Sequence, residues 1–191
     1  GPNLDEDYRS FDHAHFSGIY QQMAFLPRLV RTLGVLKGQG LSISLDTQWD
    51  AKEEWAYLDK IYPLLDILCI NRDEALSITG CTKLDAAGTF FAKRVPLTVI
   101  KLGEAGARLY TGAYVVDIPA FNVEVVDTTG AGDCFAAAFL FARNCLEFDL
   151  GESGRFAAAC AARSCLFQGG TEARSSLKDV EEFMRTNKQD V

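Results

Sequence analysis

Apolar and polar positions along this chain fall into blocks whose period switches between two and about 3.6 residues. His13-Ala14-His15-Phe16 reads as a short strand closed by Ser17-Gly18. A helix follows: Pro27 suits a first turn, Leu29, Val30, Leu33 and Leu36 recur at helical spacing, and Gly38 and Gly40 close it. Residues 41–45 alternate as a strand ending at Asp46. The spacing of Trp55, Leu58, Asp59 and Tyr62 predicts a second helix over 52–62, stopped by Pro63. A buried strand over 66–70 ends at Asn71, and short helices follow over 73–78 and 83–94. Residues 97–100 form the next strand, and 108–110 with 114–118 read as a hairpin across Thr111-Gly112-Ala113. Val125 and Val126 read as the end of a strand. After a small-residue turn, Phe135, Ala138, Phe139, Ala142 and Leu146 mark one face of a helix. Two further helices are expected over about 151–167 and 177–187.

Strands that alternate with helices argue for a parallel α/β sheet covered on both faces, here as one domain over residues 1–191. Such sheets bind ligands at the carboxyl ends of their strands. Gly18, Asp46, Asn71, Gly103 and the turn 130–133 all fall at such ends.

The turn before the helix of Phe135 carries the chemistry. Gly130-Ala131-Gly132 lies at a helix N-terminus, where free N–H groups and a positive dipole make an anion site. Asp133 adds a carboxylate. Alone it reads equally as dipole compensation or as a base beside an oxyanion cradle, the pairing a hydroxyl needs to attack a phosphoryl group. A Walker-A loop is absent. A dinucleotide fingerprint fits Gly130 and Gly132, but position 135 is Phe, too large for the close packing that motif needs. That disfavours an NAD-dependent oxidoreductase.

The run Asp-Thr-Thr-Gly-Ala-Gly-Asp over 127–133, followed by a small-residue helix, resembles the C-terminal signature of the pfkB-type, ribokinase-like carbohydrate kinases. The resemblance implies a three-layer α/β/α fold with a mostly parallel sheet. It implies ATP-dependent phosphorylation of a hydroxyl on a sugar-like substrate, with Asp133 as base and Gly130, Ala131 and Gly132 as anion hole. Asn71-Arg72-Asp73-Glu74 reads by itself as a helix cap with dipole-compensating acids. It also resembles the family's Asn-x-x-Glu motif, which implies that Asn71 and Glu74 organise Mg²⁺ and its waters near the ATP phosphates. The stretch 100–106 resembles a Thr-x-Gly-x-x-Gly segment, with Lys101 in place of Thr. This implies nucleotide contacts by Lys101, Gly103 and Gly106, to which Thr128 and Gly170 are added. The helix over about 151–167 and the turn Gln168-Gly169-Gly170 are implied to flank the adenine. A monovalent cation such as K⁺ is implied at Asp127 and the Thr129 carbonyl, with groups near Ser164 and Gly169.

Two departures from the family pattern matter. Asp46-Thr47-Gln48-Trp49-Asp50 stands where many relatives carry Asp-x-Asn-x-Arg, so Asp50 reverses a charge and inferences about anionic sugar acids lose their basis. Trp49 and Trp55 read as core or lining residues. The second departure is length. No Gly-Gly sugar-contact motif and no lid strands precede residue 11, and residues 1–7 resemble the stretch that follows that part. The chain therefore resembles the C-terminal two-thirds of a kinase. A non-catalytic nucleotide-binding module is the alternative reading, and a homodimer in the full-length protein is compatible with the family.

Composition narrows the remainder. The 191 residues are 48% apolar with net charge −7 and no basic run, which argues against nucleic acid as a partner. No apolar run reaches membrane-spanning length. The six cysteines form no C-x-x-C pair and mostly lie in apolar runs, so they read as reduced, buried thiols of a cytoplasmic protein. His13 and His15 read as structural, since no third ligand is near.

Overall fold

A computed structural model describes residues 7–170, 175–187 and 189, so the reading placed on residues 1–6 lies outside the described residues. The strands are β1 (His13–Ser17), β2 (Ser42–Asp46), β3 (Ile67–Asn71), β4 (Leu97–Lys101), β5 (Ala107–Thr111) and β6 (Val115–Ile118). They stand in one sheet in the order β1-β2-β3-β4-β5-β6, with β1–β2 and β2–β3 paired in parallel. The helices are α1 (Leu26–Gly38), α2 (Leu58–Ile61), α3 (Arg72–Thr79), α4 (Leu84–Ala92), α5 (Ala131–Asn144), α6 (Leu150–Ser164) and α7 (Leu177–Thr186). The expected α/β architecture is present. The chain divides into two compact units, Gly1–Ile100 with Tyr110–Tyr114, and Lys101–Leu109 with Val115–Val191.

In the first unit, Leu29, Leu33 and Leu36 of α1 are buried, as their spacing requires. Asp66 registers the strands: its carboxylate accepts the Ile43 N–H at 2.7 Å and the Lys37 ammonium at 2.5 Å. Its backbone carbonyl accepts the Leu97 N–H at 3.2 Å. His13 and His15 pair with serines of β2. His13 Nδ1 lies 2.6 Å from Ser42 Oγ, and Ser44 Oγ lies 2.8 Å from His13 Nε2 and 2.7 Å from His15 Nδ1.

The predicted helix over 52–62 survives only as α2. Asp50 is the reason. Its buried carboxylate, 3% exposed, accepts N–H groups from Lys52, Glu54 and Trp55 at 3.0, 3.1 and 2.9 Å. Those donors are captured in a loop instead of a helix, and Gln48, Glu53, Trp55 and Tyr57 take positive φ of 54, 53, 48 and 73°. Each such non-glycine residue costs on the order of 1–3 kcal/mol, which the surrounding contacts must offset.

In the second unit, α5 buries Phe135, Ala136, Phe139, Leu140 and Ala142. Leu146 lies beyond its end. The buried face of α6 includes Ala157, Ala158, Ala159 and Ala162, so small side chains permit close neighbours. Gly154 of α6 touches Ile118: a Cβ there would lie 2.5 Å from Ile118 Cδ1. Val125 and Val126 do not end a strand. They are 55% and 62% exposed in an irregular segment, whose Val126 and Asp127 N–H groups both donate to the Cys165 carbonyl at the end of α6. No neighbouring strand takes those N–H groups, so β-branched character alone does not make a strand. The cysteines are free, but only Cys69 and Cys165 are buried, and Cys145 is exposed, against the expectation of mostly buried thiols. Burial pushes the Cys160 thiol up to about 12, consistent with an inert group.

Gly106 has φ 88°, and a Cβ there would lie 2.0 Å from the Ile118 carbonyl oxygen. Gly34, inside α1, has nothing within 4 Å of its missing Cβ. Urea unfolding should therefore show opposite signs: Gly106→Ala loses at least about 1–3 kcal/mol, while Gly34→Ala gains about 0.5–1 kcal/mol. Equal effects would reject this account of the two glycines.

Candidate active site

The second unit holds the glycine turn. Gly130 is the N-cap residue of α5, with φ 75° and ψ 0°, a conformation that favours glycine. A Cβ on Gly130 would lie 3.2 Å from the Gly170 Cα, and one on Gly170 would lie 3.2 Å from the Thr129 carbonyl oxygen. The two segments thus meet backbone to backbone.

Asp127 holds that meeting together. One carboxylate oxygen accepts the Thr129 N–H at 2.9 Å, and the other accepts the Gly169 N–H at 2.9 Å. These bonds, the Thr129 one foremost, hold the Asp127 carboxyl below its ordinary range.

The Ala131 N–H, expected to face an anion, donates to the Thr128 carbonyl at 3.1 Å. Among the described residues no carbonyl takes the Gly130 and Gly132 N–H groups. Asp133 is exposed in the first turn of α5. Lys101, at the end of β4, brings its ammonium to 3.6 Å from the position a Gly132 Cβ would occupy. Turn, carboxylate and lysine are therefore gathered in one place. The arrangement can hold an anion by backbone N–H groups with a cation beside it and a carboxylate on the same helix turn. Gly103 and Gly106 flank a short 3-10 turn after β4, where the Leu102 N–H donates to the Gly106 carbonyl at 2.8 Å.

In the first unit, Asn71 caps α3. Its Oδ1 accepts the Glu74 N–H at 2.9 Å, while Glu74 accepts the Asn71 N–H at 3.1 Å and the Asn71 side-chain amide at 2.8 Å. Thr47, which the sequence reading did not single out, adds a hydroxyl donor to Glu74 at 3.0 Å. Glu74 is 3% exposed. The pair is a complete capping box. Its hard oxygens suit a hydrated Mg²⁺ through retained waters, and the burial of Glu74 disfavours direct ligation. Among the described residues no cluster of three or more His, Cys, Asp or Glu could hold a metal.

The family model described as pfkB family carbohydrate kinase matches residues 3–176. Fructokinase-2 of Solanum lycopersicum is 30% identical over 165 residues, which are 79% of this chain and 50% of that protein. An E. coli structure described as a ribokinase II, in complex with ATP and Mg²⁺, superposes with a TM-score of 0.82 at 28% identity, covering 91% of this chain and 58% of its own. An Arabidopsis thaliana ribokinase complexed with ribose and ATP gives 0.71 at 27% identity, covering 84% and 53%. This chain belongs to the pfkB family of carbohydrate kinases and has their ribokinase-like α/β fold. It spans about half the length of the curated relatives it matches.

The Asp127 clamp carries a pH signature. Because its carboxyl is depressed in the folded state, its contribution is complete above the ordinary value of 3.8 and is lost as pH falls through the lower folded value. Asp127→Asn should melt below the parent at pH 7, and the gap should close in acid below that value. Circular-dichroism melts at stepped pH read this directly; a gap independent of pH would reject the clamp.

Proposed function

We propose that this chain carries the phosphoryl-transfer machinery of an ATP-dependent kinase that phosphorylates a hydroxyl of a sugar or sugar-like molecule. The carrying observation is the exposed Asp133 on the turn of α5 whose Gly130 and Gly132 N–H groups have no backbone acceptor among the described residues. Asp133 takes the acceptor hydroxyl's proton as that oxygen attacks the terminal phosphorus of ATP. The Gly130 and Gly132 N–H groups hold the equatorial oxygens of the transferring group, and the Ala131 N–H joins them by leaving Thr128. The leaving oxygen departs with ADP.

Lys101, Gly103, Gly106, Thr128 and Gly170 serve the nucleotide. Asn71 and Glu74 would orient the waters of Mg²⁺, which when bound would neutralise phosphate charge; that matters in a chain of net charge −7. K⁺ would take oxygen donors from Asp127 and the Thr129 carbonyl, and no step is assigned to it. Free cysteines suit a cytoplasmic setting, and no helix among the described residues is long and apolar enough to cross a membrane. Homodimerisation of the full-length protein remains part of the same reading.

In the full-length protein, Asp133→Asn should lower kcat by roughly 10²–10⁴ while leaving MgATP binding measurable by calorimetry. Unchanged turnover would remove Asp133 from the role of base. Saturable NAD⁺ binding without ATP binding would overturn the kinase reading altogether.

A further inference from the structure

Two histidines and two serines form a hydrogen-bonded chain across β1 and β2 that phosphoryl transfer leaves unused. His13 and His15 alternate onto one face of β1, and Ser42, Ser44 and Asp46 onto the same face of β2. The parallel register sets His13 opposite Ser42 and His15 opposite Ser44. His13 reaches both serines: Nδ1 lies 2.6 Å from Ser42 Oγ, and Nε2 lies 2.8 Å from Ser44 Oγ. His15 Nδ1 lies 2.7 Å from the same Ser44 oxygen. At the far end the Ser42 hydroxyl donates to the Asp12 carbonyl at 3.2 Å. Ser44 is fully buried.

Counting protons gives this chain a direction. A serine hydroxyl has one proton, and a neutral imidazole has one donor and one acceptor nitrogen. The Ser42 proton goes to the Asp12 carbonyl, so His13 Nδ1 donates to Ser42. A neutral His13 then accepts at Nε2 from the Ser44 hydroxyl, and Ser44 in turn accepts from His15 Nδ1–H. One added proton fits. On His15 Nε2 it leaves every bond of the chain in place; on His13 it requires Ser44 to turn its proton toward His15 and His15 to change tautomer. A second proton does not fit. With both imidazoles charged, two N–H groups face the Ser44 oxygen, its own buried proton loses its acceptor, and two cations stand across one hydroxyl.

The charged groups around the pair are Asp66, which precedes β3 and is held by Lys37 of α1, Asp46 beyond Ser44 on β2, and Asp12 just before β1. Burial foremost, then the neighbouring His15, holds His13 below its ordinary 6.5, against the opposing pull of Asp66.

We propose that this chain is a proton-sensitive latch between β1 and β2, which accepts one proton without change and opens when the second arrives. The strand it fastens runs to Ser17 and on to Gly18, whose N–H donates to the Asp46 carbonyl at 3.2 Å, so an open latch loosens that end of β1 as well. Because His13 is neutral in the closed latch and held below 6.5, the closed form is complete above that value. It is lost as pH falls below it toward the lower folded value.

The test is NMR on the full-length protein. Long-range nitrogen–proton correlation reads which ring nitrogen carries the proton, and the variants His13→Gln and His15→Gln assign the two rings. At neutral pH His13 should carry its proton on Nδ1, with Nε2 as acceptor. On acidification the two rings should titrate in separate steps. Amide exchange of β1, corrected for the intrinsic rate, should accelerate in the second step by about tenfold at most per pH unit, while β3 amides stay protected. His13→Gln should abolish that acceleration, since glutamine takes up no proton in this range. Where His13→Gln misfolds, the tautomer and the separation of the two steps in the parent protein decide. A His13 proton on Nε2 at neutral pH, coincident titration of both rings at the ordinary value, equal acceleration in β3, or acceleration that persists in His13→Gln would overturn the latch.

Discussion

A single carboxylate organises the glycine turn. Each oxygen of Asp127 takes one backbone N–H, from Thr129 on its own turn and from Gly169, 42 residues further along the chain. The Cys165 carbonyl adds two more bonds from the same segment, through Val126 and Asp127. With these in place Gly130 and Gly170 approach with no side chain between them. A phosphate site needs that arrangement, because N–H donors reach a polyanion only where no Cβ stands in the way. Asp133, the proposed base, then inherits its position from backbone that the clamp already holds.

The same device recurs in the first unit. Asp50 gathers three N–H groups and Glu74 one, and Asp66 takes an N–H together with a lysine. A formal charge of −7 therefore overstates how much acid is free to repel a nucleotide. Several of these carboxylates are already engaged as acceptors for main-chain donors. Asp50 shows the consequence most plainly. This chain buries an acid there, and the segment around it, expected as a helix, takes a strained path that presents Trp49.

Much of the candidate site was legible before any coordinates. Gly130, Gly132 and Asp133 stood out because they sit at a helix N-terminus, although the acid alone reads equally as dipole compensation; the roles proposed for them come from the family motif. Asn71 and Glu74 were readable both as a cap and as a motif, and the geometry is that of the cap. Thr47 was not readable as Glu74's partner, since the two are 27 residues apart and nothing local links them. The helix expected over 52–62 failed because periodicity reports which positions are apolar, not where their N–H groups find acceptors. Val125 and Val126 failed for a related reason: a strand needs a neighbour, and the chain there turns instead to the end of α6.

By itself the sequence determined the alternation of strand and helix, the membership in a kinase family, and most of the buried faces of α1 and α5, with Val30 and Ala138 only half-buried. These depend on spacing and residue type over a few residues, which local sterics and helix geometry convert directly into structure. Only the tertiary structure decided which carboxylates clamp backbone, that Ala131 donates to Thr128, and that Trp49 stands outward on an anchored ring. Those outcomes depend on acceptors brought from distant segments, and competition for a hydrogen bond is settled only once the chain has folded.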